Sequence, residues 1–271
     1  VRYTIKQATN RQGEKTVLGE RPRKSSAKGE SQIQIGTSGW DYDAWRGSFY
    51  PAEMGHEDPL AFYARVFPTV EVNYSFYHLP ERDTFVRWRE GTPSDFLFSV
   101  KANRYLTHMK KLKDAAEPLQ RFLGAARGLG EKLGVVLFQL PPFWHTDESR
   151  LRSFLELLPE GIRFTFEFRH ESWYTEGVLD ALCQKGVGLC LHDHADGPSP
   201  IIVTTDFVYL RFHGPQGEYR EKYGEEGLGK WAKRIRNWRE GGLDVYAYFN
   251  NTAHGHAIED AKQLRALLRR D

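Results

Sequence analysis

From residue 32 onward, bulky apolar residues recur with two rhythms. Short runs alternate with period two, as half-buried strands do, and longer stretches repeat at helical spacing. The first rhythm predicts eight strands, over residues 33–36, 70–73, 96–101, 135–140, from 164 into a stretch reaching 173, then 189–193, 207–213 and 245–250. The second predicts helices over 59–67, 82–90, 115–132, 149–158, 177–185, 228–238 and 257–270. Between 194 and 206, Gly197, Pro198 and Pro200 leave room only for a short connection. Eight strands with helices after seven of them predict an α/β fold, a single-domain TIM-type (β/α)8 barrel with a short or missing helix between strands 6 and 7. An open doubly wound sheet is the second choice. It requires a spaced three-glycine phosphate turn after an early strand, and Gly36-Thr-Ser-Gly39 is not one.

Taken strand by strand, the alternation separates two faces. One carries Ile33 and Ile35, Val70 and Val72, Phe96 and Phe98, Val136 and Phe138, Phe164, Phe166 and Phe168, Val208 and Leu210, and Val245 and Phe249, a wall suited to lie under helices. The other carries Glu71 and Asn73, Ser99 and Lys101, Gln139, Thr165, Glu167 and Arg169, Tyr209, Arg211 and His213, and Tyr246, Tyr248 and Asn250. The sixth strand presents His192 in one phase and Asp193 in the other. A barrel interior normally fills with branched aliphatics, and chemistry sits at the strands' C-terminal ends. The inferred interior is polar and its charges come late in their strands, which marks a site. The plainer alternative is an ion-paired plug, with Glu71 and Glu167 neutralising Lys101, Arg169 and Arg211 for packing alone.

Two carboxylates in unlike surroundings can take the roles of general acid and base, so Glu167 and Glu71 are the candidates to move protons, with His213 beside them. Arg169, Arg211 and Lys101 predict an anionic group on the ligand, and Asn73, Gln139 and Asn250 would orient it. Trp40, Trp173 and Tyr248 would contribute aromatic contacts, within a surplus of loop aromatics that could stack a sugar or a base or could simply pack on one another. The loops 213–217 and 250–255 are glycine-bearing and suited to a phosphate, or to plain helix capping by Asn251 or Thr252. Glu167, His192, Asp193 and His213 would be the ligands of a divalent metal, an option opposed by the neighbouring Arg and Lys. The chain carries no signal for an organic cofactor, no Walker loop and no Ser-His-Asp elbow.

Charge changes the picture at one end. Residues 1–31 hold eight Lys/Arg against three Glu, so the overall +2 divides into +5 there and −3 in residues 32–271. The body is therefore not a basic protein, and nucleic acid is a less favoured partner than a small anionic ligand. Residues 1–31 read as a basic, solvated extension and 32–271 as the barrel. No apolar run approaches a membrane span, and two cysteines seven residues apart, Cys183 and Cys190, read as buried thiols, which makes the cytoplasm the expected compartment.

Several motifs fall in one order along the chain: Gly36-Thr-Ser-Gly-Trp40 with Trp45 and Phe49-Tyr-Pro51, Glu71-Val-Asn73 with Ser75-Phe-Tyr77, Phe98-Ser-Val-Lys-Ala102, Gln139-Leu-Pro-Pro142, Glu167-Phe-Arg-His170 with Ser172-Trp173, Tyr209-Leu-Arg-Phe-His-Gly214, and Tyr248-Phe-Asn-Asn251. Together they resemble the DUF72, or YecE-like, family and leave the basic extension outside. The resemblance implies a TIM barrel in a bacterial or archaeal cytoplasmic protein and carries no reaction with it. The expected function is acid/base chemistry on a small anionic, phosphorylated or sugar-like molecule. The alternatives are a metal-assisted phosphodiesterase acting on nucleic acid and a non-catalytic ligand-binding barrel.

Overall fold

The structure, a computed structural model, describes the backbone of residues 5–9 and 15–19 and then residues 31–54, 57–195 and 197–269. Eight strands form the barrel: β1 (Ile33–Thr37), β2 (Thr69–Val72), β3 (Leu97–Lys101), β4 (Leu133–Gln139), β5 (Arg163–Glu167), β6 (Gly188–His192), β7 (Phe207–Phe212) and β8 (Asp244–Phe249). They pair in parallel in the order β1-β8-β7-β6-β5-β4-β3-β2. The two ends of this sheet, β1 and β2, meet through a single bridge between Ser38 and Glu71, where the Gly39 N–H donates to the Glu71 carbonyl at 2.7 Å. The barrel is nearly closed.

That seam depends on Gly36. A Cβ there would stand 2.0 Å from the Thr69 carbonyl oxygen, so no other residue lets β1 approach β2 this closely. The Tyr63 hydroxyl stitches the seam: it accepts the Thr37 N–H at 2.9 Å and donates to the Thr69 carbonyl at 3.1 Å.

Helices follow seven strands: α1 (Pro59–Ala64), α2 (Arg82–Glu90), α3 (Ala116–Ala126), α4 (Glu148–Leu155), α5 (Glu176–Lys185), α6 (Gly224–Glu240) and α7 (His256–Arg269). Their starts are written in the sequence. Asp58 before Pro59, Asp147 and Thr175 each accept an N–H from the first turn of α1, α4 and α5. Among the described residues between β6 and β7 there is no helix, only the two-residue strand Ile202–Val203. The basic extension lies mostly outside the described residues. Within it Ile5–Thr9 and Lys15–Gly19 pair antiparallel, and Val17 and Leu18 are in parallel register with Ile202 and Val203.

Two expected elements end differently, and one helix is unexpected. The helix expected over 115–132 stops at Ala126 and continues as a 3-10 segment, Arg127–Lys132, broken by Gly130 at φ 57°. The strand expected from 164 toward 173 ends at Glu167, and Glu171–Trp173 is a 3-10 turn. A one-turn helix, Tyr74–Tyr77, follows β2 directly.

The two faces separate as the alternation predicts on the outside. Ile35, Val70, Phe98, Phe138, Phe166, Leu210 and Phe249 all belong to the continuous core between barrel and helices. The interior is less uniform than expected. Its lower part is an apolar plug of Val135, Leu137, Cys190, Phe207, Tyr209, Tyr246 and Tyr248 with Leu97 against it, because β4 is apolar on both faces and β6 contributes a cysteine. The buried charges Glu71, Glu167, Arg169 and Arg211 lie toward the strands' C-terminal ends, with the hydroxyls of Thr69, Ser99 and Tyr248 bonded to one another below them.

Candidate functional site

The floor of the barrel mouth is a charge network tied by one residue. Arg211, late in β7, donates from Nε to both Glu71 oxygens at 3.1 and 3.0 Å and from Nη2 to Glu71 Oε1 at 2.9 Å. Its Nη1 donates to Glu167 Oε2 at 2.7 Å. One guanidinium thus bridges carboxylates on β2 and β5. Glu71 also accepts from the Ser38 hydroxyl at 2.6 Å and the Tyr209 hydroxyl at 2.7 Å. Glu167 also accepts from Arg169 Nε. Arg211, Glu71 and Glu167 have essentially no exposed surface.

Burial pushes the Glu167 carboxyl up, but Arg169 and Arg211 outweigh it and hold it well below the ordinary carboxylate range. The same carboxylates keep Arg211 charged, against a burial effect of opposite sign. The groups expected to exchange protons are therefore those whose lone pairs are already taken by fixed donors. Ser38 carries no sequence signal of its own beyond its place in the loop motif directly after β1.

A second cluster lies where β6 and β7 end. Arg169 Nη2 lies 3.2 Å from His213 Nε2, and His213 Nδ1 lies 3.4 Å from Asp193 Oδ1 without an aligned hydrogen bond. Burial and then Arg211 push His213 well down, so its imidazole is neutral. Asp193 accepts from the His213 N–H at 2.7 Å and from the Tyr223 hydroxyl, and burial raises its carboxyl to about 6 despite both. His192 is turned to the backbone: Nε2 pairs with the Phe168 carbonyl at 2.9 Å, and Nδ1 takes the His194 N–H at 3.4 Å. With these engagements Glu167, His192, Asp193 and His213 are not assembled as a ligand set. Among the described residues no three of His, Cys, Asp or Glu come together so as to hold a metal ion.

Lys101 is different from every other charge in the mouth. It ends β3, with Ser99 below it in the same phase and bonded to the Tyr248 hydroxyl inside the barrel at 2.8 Å. Its Nζ stands 4.2 Å over the Phe76 ring. Burial first, then Arg211, lower its amine to about 7, with Glu167 and Glu71 opposing. Across the β2/β3 ladder, Val72 pairs with Val100, which sets Asn73 beside Lys101, and Asn73 Oδ1 is buried without a partner.

The remaining expected contacts divide. Tyr248 is inside the barrel, its hydroxyl between Thr69 and Ser99. Trp173 is buried, stacked on Phe168 at 5.0 Å, with Nε1 donating to the Trp144 carbonyl at 2.6 Å. Trp45, Tyr50 and Trp144 are likewise packed away, while Trp40 is half-buried against Trp88. Exposed aromatics remain after β2, β3 and β4: Tyr74, Tyr77, Tyr105 and, at 89% exposure, Phe143. Gln139 and Asn250 are half-buried at strand ends. In the two glycine-bearing loops the amides are already used. Gly214 N–H donates to the Tyr223 hydroxyl and Gly217 N–H to the Gly214 carbonyl, and Asn251 is fixed to Asp260 and the Glu221 carbonyl.

Residues 34–271 match the family described as "Protein of unknown function DUF72". The chain belongs to the DUF72 family. It is similar to the UPF0759 protein YunF of Bacillus subtilis (strain 168), 27% identical over 274 residues, which span 87% of this chain and 94% of that protein. It is also similar to the UPF0759 protein YecE of Escherichia coli (strain K12), 30% identical over 156 residues, 57% of this chain and 55% of that one. The crystal structure of a DUF72 family protein from Thermotoga maritima MSB8 superposes with a TM-score of 0.77 at 30% identity, over 88% of this chain and 99% of that chain. A DUF72 protein from Enterococcus faecalis V583 shares the fold at 19% identity, with a TM-score of 0.76 over 89% of this chain and 96% of that one. The DUF72 match begins at Gln34, so the basic extension lies outside it. Among the described residues no helix is long and apolar enough to cross a membrane.

Proposed function

We propose that the barrel mouth takes up a small anionic, phosphorylated or sugar-like molecule and acts on it by acid/base chemistry. The observation that carries this reading is that Lys101 has no ion-pair partner among the described residues of the mouth. Arg211 is committed to Glu71 and Glu167, and Arg169 to Glu167, which leaves Lys101 with no carboxylate of its own. A half-buried cation without a counter-charge is less favourable than a paired one, and an anionic ligand supplies the missing charge. The lowered amine also suits proton transfer, since a group poised near neutrality is both an available base and an available acid. In this reading Lys101 moves the proton. Glu71 and Glu167 hold Arg211 and Arg169 in place, and Asn73, His213, Gln139 and Asn250 surround the ligand. The exposed rings of Tyr77 and Phe143 offer faces for a sugar.

An anion beside Lys101 raises the amine from about 7, so binding at pH 8 takes up a proton. Calorimetric titration with inorganic phosphate and with ribose 5-phosphate, in two buffers of different ionisation enthalpy, measures this uptake directly. The expected result is an uptake approaching one proton per site at pH 8, and a loss of affinity on the order of tenfold in Lys101→Met. Equal affinity in the wild type and Lys101→Met, with no proton taken up, would sink the reading.

A further inference from the structure

We propose that Lys101 is a covalent amine, which condenses with the carbonyl carbon of a small anionic aldehyde or ketone held in the barrel mouth. This rests on the anion-site reading and deepens it, by naming the class of substrate as a phosphorylated or carboxylated carbonyl compound.

Four features of the mouth point to it. Among the described residues Lys101 Nζ makes no hydrogen bond and no ion pair, and it stands over the face of Phe76 at 4.2 Å. Its backbone is fixed from below, because the Lys101 carbonyl accepts the Ser75 hydroxyl at 2.7 Å and β3 is clamped between β2 and β4. Phe76 is in turn held edge-on by His108 at 4.9 Å, so the amine stands in an aromatic niche rather than in open solvent. Finally, Asn73 beside it offers a buried acceptor that no protein group satisfies.

The charges that face the amine come from every side of the mouth. Arg211 on β7 and Arg169 after β5 disfavour the ammonium, and Glu167 on β5 and Glu71 on β2 oppose them. His108, from the turn after β3, is neutral, its imidazole lowered to about 4 by burial and then by Lys101 itself. A lysine desolvated beside other cations is the arrangement that gives an amine free-base character at neutral pH.

The step balances without any added reactant. The neutral amine attacks the carbonyl carbon, the C–N bond forms and the C=O π pair moves onto oxygen. That oxygen takes a proton from the new ammonium, giving a carbinolamine. It then leaves as water with the nitrogen's remaining proton, and an imine is left. The substrate's anionic end lies on the side of Arg169 and Arg211, whose charges are shared with Glu167 and Glu71, and its carbonyl end at Lys101.

Reductive trapping tests this on the full chain. The protein is incubated at pH 7 with sodium cyanoborohydride and either glycolaldehyde phosphate or uncharged glycolaldehyde, and the modified lysines are mapped by peptide mass. The expected result is alkylation of Lys101 faster than of the exposed Lys113 and Lys230 by on the order of tenfold or more. The phosphorylated probe should be the faster of the two, and the rate should rise through pH 7 and then level. Lys101→Arg, shown by its melting curve to be folded, should lose the adduct. Phosphate binding with Lys101 labelled no faster than surface lysines overturns the covalent proposal and leaves the anion site standing. Fast labelling of Lys101 that is equal for both probes supports the amine and overturns the anion reading. Neither binding nor selective labelling overturns both.

Discussion

Removing Arg211 would leave Glu71 without a cationic partner and Glu167 with Arg169 alone. Arg211→Met leaves Glu71 and Glu167 buried, with Ser38, Tyr209, Arg169 and the Cys190 thiol as partners. Breaking a buried pair from one side costs about 3–5 kcal/mol, whereas replacing both partners by apolar groups costs far less. The expected result is that Arg211→Met lowers unfolding free energy in urea by about that amount, and that Arg211→Met with Glu71→Leu recovers part of the loss. A loss below about 1 kcal/mol would mean that the network is solvated in solution, unlike the buried arrangement described here. The alternation of apolar and polar residues in β2, β5 and β7 was enough to place Glu71, Glu167 and Arg211 on one inward face. It could not show that a single guanidinium would span two strands, because the distance across a barrel is set by strand tilt and stagger, which leave no mark within one strand. The same limit hid the isolation of Lys101. Which cation lacks a partner is a property of the whole mouth.

The seam between β1 and β2 is the element on which closure depends, and it is thin. Elsewhere each neighbouring pair of strands shares a ladder, with a register shift between Phe98 and Val100 where β3 meets β4, but here a single bridge, the Gly39–Glu71 backbone bond and the Tyr63 hydroxyl do the joining. Gly36→Ala places a methyl 2.0 Å from the Thr69 carbonyl and must push the strands apart. Tyr63→Phe keeps the packing and leaves the Thr37 N–H and the Thr69 carbonyl short of a partner, at about 1–3 kcal/mol. Both changes should speed hydrogen exchange at the Gly39 amide and leave the amides of β5 and β6, across the barrel, unchanged. Exchange that rises uniformly around the barrel would show that the seam is no weaker than the rest. At this scale much was legible: eight strands, seven helices and the missing helix after β6 follow from periodicity and from Gly197, Pro198 and Pro200. Trp173 was not. It falls in the stretch that begins with Phe164, Phe166 and Phe168, yet the strand stops at Glu167 and a 3-10 turn folds the indole back onto Phe168. A period-two pattern cannot report where the chain turns on itself, so a residue expected at the rim belongs instead to the packing beneath it.

For the molecule as a whole, these buried groups give stability a pH dependence with opposite slopes in different windows. Glu167 has a folded value depressed below its unfolded one of about 4.3, so its contribution is present above that value and is lost as pH falls through the folded value. Asp193 has the reverse sign: raised to about 6, it favours the folded state below its unfolded value and loses that contribution as pH rises through 6. Tyr209 and Tyr248, both raised by burial, favour the folded state up to about pH 10 and lose that contribution above it. Lys101 contributes in the range between, alongside Lys132, lowered by burial in the same sense, and Cys190, raised by burial in the opposite one. The folded value of Lys101, about 7, lies below the unfolded value of about 10.4, so between them the unfolded chain binds the proton and the folded one does not. The Lys101 contribution must then rise with pH across this window, by at most roughly 1.4 kcal/mol per unit, and by less to the extent that solvent reaches the side chain. Urea unfolding at pH 7, 8 and 9 should show the rise in the wild type and a flatter profile in Lys101→Met. Saturating phosphate should flatten the wild-type profile too, because an anion in the mouth restores the amine toward its ordinary value. A wild-type slope equal to that of Lys101→Met without phosphate would mean that Lys101 titrates as a surface lysine does, and the anion site and the covalent amine would both lose the unpaired charge from which they are argued.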